Sequence, residues 1–130
     1  MLLADLADTS ARVAATSSRR GKVAALGECL RRARPGEAAI ATAYLAGTLP
    51  QGRIGVGWAS LRELPPPAPP PPSLELAEVE AALAEVAALA GPGSQAARRE
   101  TLGSLLARAT EPEQRFLVAL LASELRQGAL

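Results

Sequence analysis

Apolar residues recur every three or four positions along most of the chain, and this spacing is typical of amphipathic helices. It occurs in residues 2–15, about 18–34, 37–46, 58–64 and 76–90, and again twice between residues 95 and 125. Pro35 and Gly36 are predicted to end the second of these helices. The pattern therefore predicts an all-α fold, a helical bundle of about five longer helices plus a short one, with a proline-rich extended linker.

The last two stripes predict a pair of helices around a short turn. The first stripe contains Leu102, Leu105, Leu106 and Ala109, and the second contains Phe116, Leu117, Leu120, Leu121 and Leu125. Between them, Thr110 and Glu113 have the spacing of a capping box, with Pro112 in the first turn of the following helix. So short a connection predicts two antiparallel helices whose stripes face one core.

A near-continuous run of prolines from Pro65 to Pro72 interrupts the helical pattern. Proline lacks an amide donor and fixes φ, so this run predicts an extended polyproline II segment. It divides the chain into a helical front (1–64), a polyproline spacer (65–73) and a helical hairpin section (74–130). Trp58 is predicted to anchor a core that is poor in aromatic residues.

Composition excludes several kinds of site. Aromatic residues make up 2% of the 130 residues, there is one cysteine, and there is no histidine. The core must therefore consist of Leu, Ala and Val, no internal disulfide can form, and Cys29 is expected to be a small buried residue. No metal site and no catalytic constellation is predicted. Asp5 and Asp8 interrupt any signal-peptide core, and no apolar run has membrane-spanning length, so we expect a soluble cytoplasmic protein.

The net charge of +1 hides an uneven distribution. Residues 1–62 carry a net charge of +5, residues 63–90 carry −5, and residues 91–130 carry +1. Segregated charge of this kind favours a polyanionic partner for the basic front.

Two predicted helix starts have the chemistry of a phosphate-binding site. Thr16, Ser17 and Ser18 precede a helix whose first turn carries Arg19 and Lys22, where positive charge opposes the helix dipole unless an anion binds. At the second start, Gly91 and Gly93 leave the backbone amides unshielded by side chains before a predicted Ser94 N-cap. Arg98 and Arg99 follow one turn later. The alternative is that both are ordinary helix caps with solvated charges.

Several motifs, in this order, resemble the N-terminal DNA-binding domain of ATP-dependent DNA ligases, in particular the bacterial forms akin to the eukaryotic replicative enzyme. The motifs are Ala15-Thr16-Ser17-Ser18-Arg19, Pro50 to Gly57, the proline run, Gly91-Pro92-Gly93-Ser94-Gln95, Arg115-Phe116-Leu117 and Leu125 to Ala129. The resemblance extends over almost the whole chain, and it implies that the chain is the first part of that domain.

The resemblance also implies a function and a set of site residues. The domain in that family is all-helical, has no catalytic residue, and grips duplex DNA around a nick. The implied DNA contacts are Thr16, Ser17, Ser18, Arg19 and Lys22, then Gly93, Ser94, Gln95 and Arg98, and a third contact loop of Arg126, Gln127 and Gly128. ATP and Mg²⁺ would be used by the parent enzyme, in downstream nucleotidyltransferase and OB-fold domains. The family's catalytic Lys-x-Asp-Gly motif is absent here, because Lys22, the only lysine, precedes Val-Ala-Ala.

Two other classes of protein remain open at this stage. One is a helical protein–protein interaction module with the proline run as its ligand segment. The other is a regulatory module of an unrelated multidomain enzyme.

Overall fold

The apolar stripes become seven α-helices in a computed structural model, which describes residues 1–52 and 54–128. For residues 127 and 128 it describes the backbone alone. The helices are α1 (Leu3–Ala15), α2 (Arg19–Arg31), α3 (Pro35–Leu45), α4 (Trp58–Arg62), α5 (Leu76–Ala88), α6 (Ser94–Ala107) and α7 (Glu111–Gly128). The predicted all-α class is confirmed, and the described ranges contain six longer helices and a short one, one longer helix more than the roughly five predicted. Strand-like pairing there is limited to one isolated bridge between Leu2 and Glu75.

One hydrophobic core joins the two ends of the chain. Leu3 and Leu6 of α1, Leu83 of α5 and Leu117 of α7 are fully buried in the same cluster. Helix α1 packs against α2, α3 and α7, while α5 packs against α3 and α6. Cys29 is a free, buried cysteine on α2, as predicted. The basic front and the C-terminal section therefore form one folding unit.

The stripes of the last two helices face one core, as predicted, but α6 and α7 are not each other's main packing partners. Helix α6 packs against α5, whereas α7 packs against α1 and α4. The turn itself forms at the predicted place, and the Glu113 carboxylate accepts a hydrogen bond of 2.8 Å from the Thr110 amide. The Thr110 hydroxyl donates to the same carboxylate oxygen at 2.9 Å, and the Gln114 side chain donates to the Leu106 carbonyl at 2.8 Å. These buried polar contacts hold the turn, while α6 and α7 pack mainly against different helices around the same core.

Pro35 and Gly36 begin α3 instead of ending α2. Pro35 is the first residue of α3, a position where its missing amide leaves no helical hydrogen bond unmade. The Glu37 carboxylate accepts from the Arg34 amide at 2.9 Å and so caps this helix start. The predicted helix end at Pro-Gly is therefore wrong, because proline is also favourable in the first turn of a helix.

The proline-rich segment is not helical, as predicted, but it bends at residues 70 and 71 and lies against the helices. The Ala68 amide donates to the Ala109 carbonyl at 2.8 Å, and the Gln114 side chain donates to the Pro65 carbonyl at 3.1 Å. Farther along, the Leu76 amide donates to the Met1 carbonyl at 2.8 Å. Residues 65–73 are therefore part of the packed structure and do not stand as a free spacer.

Two glutamates of α5, Glu78 and Glu85, are exposed, whereas Glu80 is half-buried beside Tyr44 of α3. Both Glu80 carboxylate oxygens and the Tyr44 hydroxyl are buried without a hydrogen-bond partner. Burial raises the pKa of Glu80, because removal from water disfavours its charged form. Burial and the nearby Glu80 carboxylate raise the pKa of Tyr44 as well.

We expect Glu80→Gln to stabilise the protein more at pH 7 than at pH 4. The pKa of Glu80 is higher in the folded than in the unfolded state, so the unfavourable effect of its charge on folding appears as pH rises through the folded pKa. Urea melts of the variant and the unmodified protein at both pH values measure the difference. Glu85→Gln, which changes an exposed glutamate on the same helix, is the control. A Glu80→Gln effect that is equal at the two pH values would contradict the assignment.

Candidate nucleic-acid interface

The start of α2 is a capped helix end that opens to solvent. Ser18 is its N-cap, and the Ser18 hydroxyl accepts from the Gly21 amide at 3.1 Å. The Thr16 hydroxyl accepts from the Ser18 amide at 3.2 Å, which fixes the chain entering the helix. The amides of Arg19 and Arg20 have no partner among the residues that the structure describes, as is usual for the first turn of a helix. The predicted serine and threonine cap is thus present, with two donors left to face a ligand.

Arg19, Arg20 and Lys22 surround this helix start with positive charge. All three are exposed, and none forms an ion pair within the described residues. No acidic residue occupies the first turn to offset them. The helix N-terminus also carries partial positive charge, so the three cations repel both one another and the helix end. The same positive charge attracts anions. Some charges elsewhere are paired, as in the contact of Arg32 with Asp5 at 3.3 Å.

The second predicted start, at α6, has a different cap from the one expected. Gly93 is the N-cap, with a φ of 79°, and Ser94 is the first helical residue. The Ser94 amide donates to the Gly91 carbonyl at 3.2 Å, and no side chain caps this helix. The prediction of Ser94 as N-cap is therefore wrong, because the left-handed Gly93 ends the turn one residue earlier. Gln95 is exposed on the first turn, as a ligand-contacting residue would need to be.

Arg98 makes contacts within the chain that the sequence did not reveal. Its guanidinium donates to the Leu89 carbonyl at the end of α5. It also lies against the backbone of Gly55, where an added Cβ would come within 2.9 Å of the guanidinium carbon. The Nε atom is buried without a partner. Arg98 thus links the start of α6 to Gly55 of the glycine-rich segment. The spacing of glycines in that segment is the sequence feature that could have indicated the close approach of another side chain.

The third predicted contact, a loop at residues 126–128, is helical in the structure. Helix α7 continues through Gly128, so the expected loop is wrong for these residues. Arg126 is exposed near the end of this helix. The side chain of Gln127 and the motif residue Ala129 lie outside the described part of the structure, as does Arg53 of the glycine-rich motif.

Trp58 lies on the surface, in contrast to the prediction that it anchors the core. It is 47% exposed at the start of α4, and the buried aromatic residues are Tyr44 and Phe116. Val23, next to Lys22, is 63% exposed.

The two helix starts belong to different groups of helices, since α2 packs against α1 and α3, whereas α6 packs against α5.

Other kinds of site find no support in the described ranges. They contain no group of three or more acidic or cysteine side chains arranged to hold a metal ion. Of the helices that the structure describes, none is long and apolar enough to cross a membrane.

The family model described as DNA ligase N terminus matches residues 59–130. The chain belongs to this family. Its similarity to relatives extends further, over the whole chain including α2. The resemblance to the N-terminal part of a DNA ligase, noted from the order of the motifs, is thereby confirmed.

The curated relatives are about four times longer than this chain. A probable DNA ligase of Anaeromyxobacter sp. (strain K) is 56% identical over 133 residues, covering 100% of this chain and 26% of the relative. A probable DNA ligase of Streptomyces griseus is also 56% identical, over 100% of this chain and 25% of its own length. DNA ligase B of Mycobacterium tuberculosis is 53% identical over 99% of this chain and 26% of the relative. No solved structure gives a significant match.

Proposed function

We propose that this chain is a non-catalytic DNA-binding segment of an ATP-dependent DNA ligase, which grips the duplex backbone around a nick so that a catalytic domain can seal it. The observation that supports this best is the start of α2, where free amides and unpaired cations share one exposed helix end. The family assignment makes a nucleic-acid phosphate the most fitting anion. ATP and Mg²⁺ would act in the nucleotidyltransferase and OB-fold domains of the parent ligase, in the cytoplasm.

The chemistry of this helix start suits a protein that must bind any sequence. Amides, hydroxyls and long cationic side chains contact phosphates and sugars, which position a protein on DNA without reading bases. A nick can occur at any sequence, so an enzyme that seals it gains from such contacts. In this proposal, Arg19 and Lys22 approach phosphates from the side of the helix while the free amides of the first turn contact a phosphate oxygen.

In the parent ligase, Arg19→Ala and Lys22→Ala should each weaken binding to nicked duplex and flatten its salt dependence. With each phosphate contact removed, binding releases fewer counterions from the DNA. The magnitude of the slope of log K against log salt should therefore fall by about 0.9 per contact. The double variant should lose about 1.8 in slope. Fluorescence anisotropy with labelled nicked duplex across a salt series measures these slopes, and two unrelated base sequences should give the same loss.

Arg31→Ala is the matched control, because Arg31 is an exposed arginine in the last turn of the same helix. There it complements the negative helix end, so its removal should leave the slope unchanged. If Arg19→Ala and Lys22→Ala behave like Arg31→Ala, then α2 does not contact the DNA backbone.

Arg98 needs a separate test because its guanidinium is already hydrogen-bonded within the chain. If Arg98 also contacts a phosphate, Arg98→Ala should reduce the salt slope by about one unit. If it acts only by positioning the start of α6, the affinity should fall while the slope stays the same. The same anisotropy series distinguishes the two outcomes.

A further inference from the structure

Val23 is the most exposed large hydrophobic residue in the part of the chain that the structure describes. Its side chain is 63% exposed, compared with 47% for Trp58 and 40% for Leu64. It lies on α2, which turns Ala25 and Cys29 toward the interior instead. A β-branched residue at a solvated helix position has a lower helix propensity than alanine and gains no packing in return. Stability of the helix therefore does not account for a valine at this position.

Helix geometry places Val23 within the cationic cluster at the start of α2. Successive residues are rotated by about 100°, so Val23 lies one turn beyond Arg19 and Arg20, at an angle between the two. Both arginines are exposed, as is Lys22 directly before Val23, and none of these cations forms an ion pair in the described ranges. The one acidic residue of α2, Glu28, is already in an ion pair. An exposed apolar side chain is thus surrounded by cations that are available to bind anions.

This combination matches the sugar–phosphate backbone of DNA, in which anionic and apolar groups alternate. Each deoxyribose lies between two phosphates and carries a methylene group at C2′. In RNA the same carbon carries a hydroxyl, which is the group that lets a protein distinguish the two nucleic acids at a given site. An apolar side chain packed on this carbon gains contact with the methylene, whereas it would leave a hydroxyl removed from water without a hydrogen-bond partner.

We propose that Val23 packs against a deoxyribose while Arg19 and Arg20 bind the phosphates on either side of it, so that α2 discriminates against ribose in the strand that it contacts. The inference rests on the proposed function, since it takes the DNA backbone as the ligand of α2. It goes beyond that function, because cations bind the phosphates of RNA and DNA alike and Val23 adds selection of the sugar. The contact involves no base, so it is compatible with binding at any sequence.

The test uses the full-length parent ligase and a duplex whose nick carries a 5′-hydroxyl, so that it cannot be sealed. Single ribonucleotides are introduced one position at a time on both sides of the nick, and fluorescence anisotropy measures each affinity. At one or two positions the ribonucleotide should weaken binding about fivefold or more, as an unpaired buried hydroxyl does. The reference at each position is a 2′-fluoro nucleotide, which favours the sugar pucker of ribose but lacks the hydroxyl.

Val23→Thr tests the assigned residue directly, because threonine keeps the β-branched shape and has a similar helix propensity. Its hydroxyl gives the 2′-hydroxyl a partner, so the discrimination should fall below twofold while the salt slope stays that of the unmodified protein. Val23→Ala should weaken binding to the all-DNA duplex about threefold through lost apolar contact, again without a change in slope. Lys22→Ala is the matched control: it should flatten the salt slope and retain the fivefold discrimination.

Three results would overturn the proposal. They are the absence of any position at which ribose is disfavoured relative to the 2′-fluoro nucleotide, full discrimination in Val23→Thr, or unchanged DNA affinity in Val23→Ala. Failure of the proposed function itself has a different signature, because Arg19→Ala and Lys22→Ala would then leave the salt slope unchanged. If those two variants flatten the slope while both Val23 variants have no effect, α2 binds phosphates without selecting the sugar.

Discussion

Leu105→Ala and Leu120→Ala should each lower the free energy of unfolding by about 2–5 kcal/mol, as large-to-small changes in a packed core do. Leu105 of α6 is 4% exposed and Leu120 of α7 is 2% exposed, and both belong to the single hydrophobic cluster. Each substitution removes buried methyl groups and leaves a cavity that surrounding helices can fill only in part. Urea denaturation followed by circular dichroism measures the loss.

Arg108→Ala is the matched control for the core substitutions. Arg108 directly follows α6, is exposed, and pairs with Glu78 of α5 at 2.7 Å. An exposed ion pair of this kind contributes little, so the variant should lose less than about 1 kcal/mol. If the three variants were equally destabilised, the buried stripes would have been assigned to the wrong helix faces.

Gly55→Ala should destabilise the protein by roughly 2–4 kcal/mol through two additive effects. Gly55 has a φ of 74°, a conformation that is unfavourable for any residue with a Cβ. The added Cβ would also lie 2.9 Å from the Arg98 guanidinium, which would have to leave the Leu89 carbonyl. Urea melts of the variant give the total loss.

Gly52→Ala separates these two effects. Gly52 has a similar φ of 72°, but nothing lies within 4 Å of its added Cβ, so only the backbone strain of roughly 1–2 kcal/mol should appear. In the Arg98→Ala background, Gly55→Ala should lose no more stability than Gly52→Ala. A Gly55→Ala effect that is undiminished in that background would show that Arg98 is not the group that the new side chain meets.

The local features of the fold were predictable because they depend on neighbouring residues. The spacing of apolar residues predicts every helix in the described ranges, and Thr110 and Glu113 predict the start of α7. The Ser18 cap followed from the same local chemistry. Each of these features involves residues within about four positions, where helix geometry alone decides which groups can meet.

The packing partners were not predictable, because they depend on contacts between distant parts of the chain. The short turn before α7 favoured pairing with α6, but α6 buries its stripe against α5 and α7 buries its stripe against α1. The glycines near residue 93 permitted two cap positions, and the left-handed conformation of Gly93 decided between them. Nothing in the sequence around Arg98 indicated that its guanidinium would contact Leu89 and Gly55.

The docking of the proline-rich segment onto one shared core has a consequence for recombination between related ligases. By its composition this stretch resembles a domain boundary, the place where a gene fusion or a laboratory chimera is usually joined. A crossover there would exchange α1 to α4 of one parent for those of another, although Leu3 and Leu6 from one side lie in the same buried cluster as Leu117 from the other. In chimeras joined at residues 65–73, the single hydrophobic core would therefore combine residues from two parents. Such chimeras should fold poorly unless both parents have the same core residues.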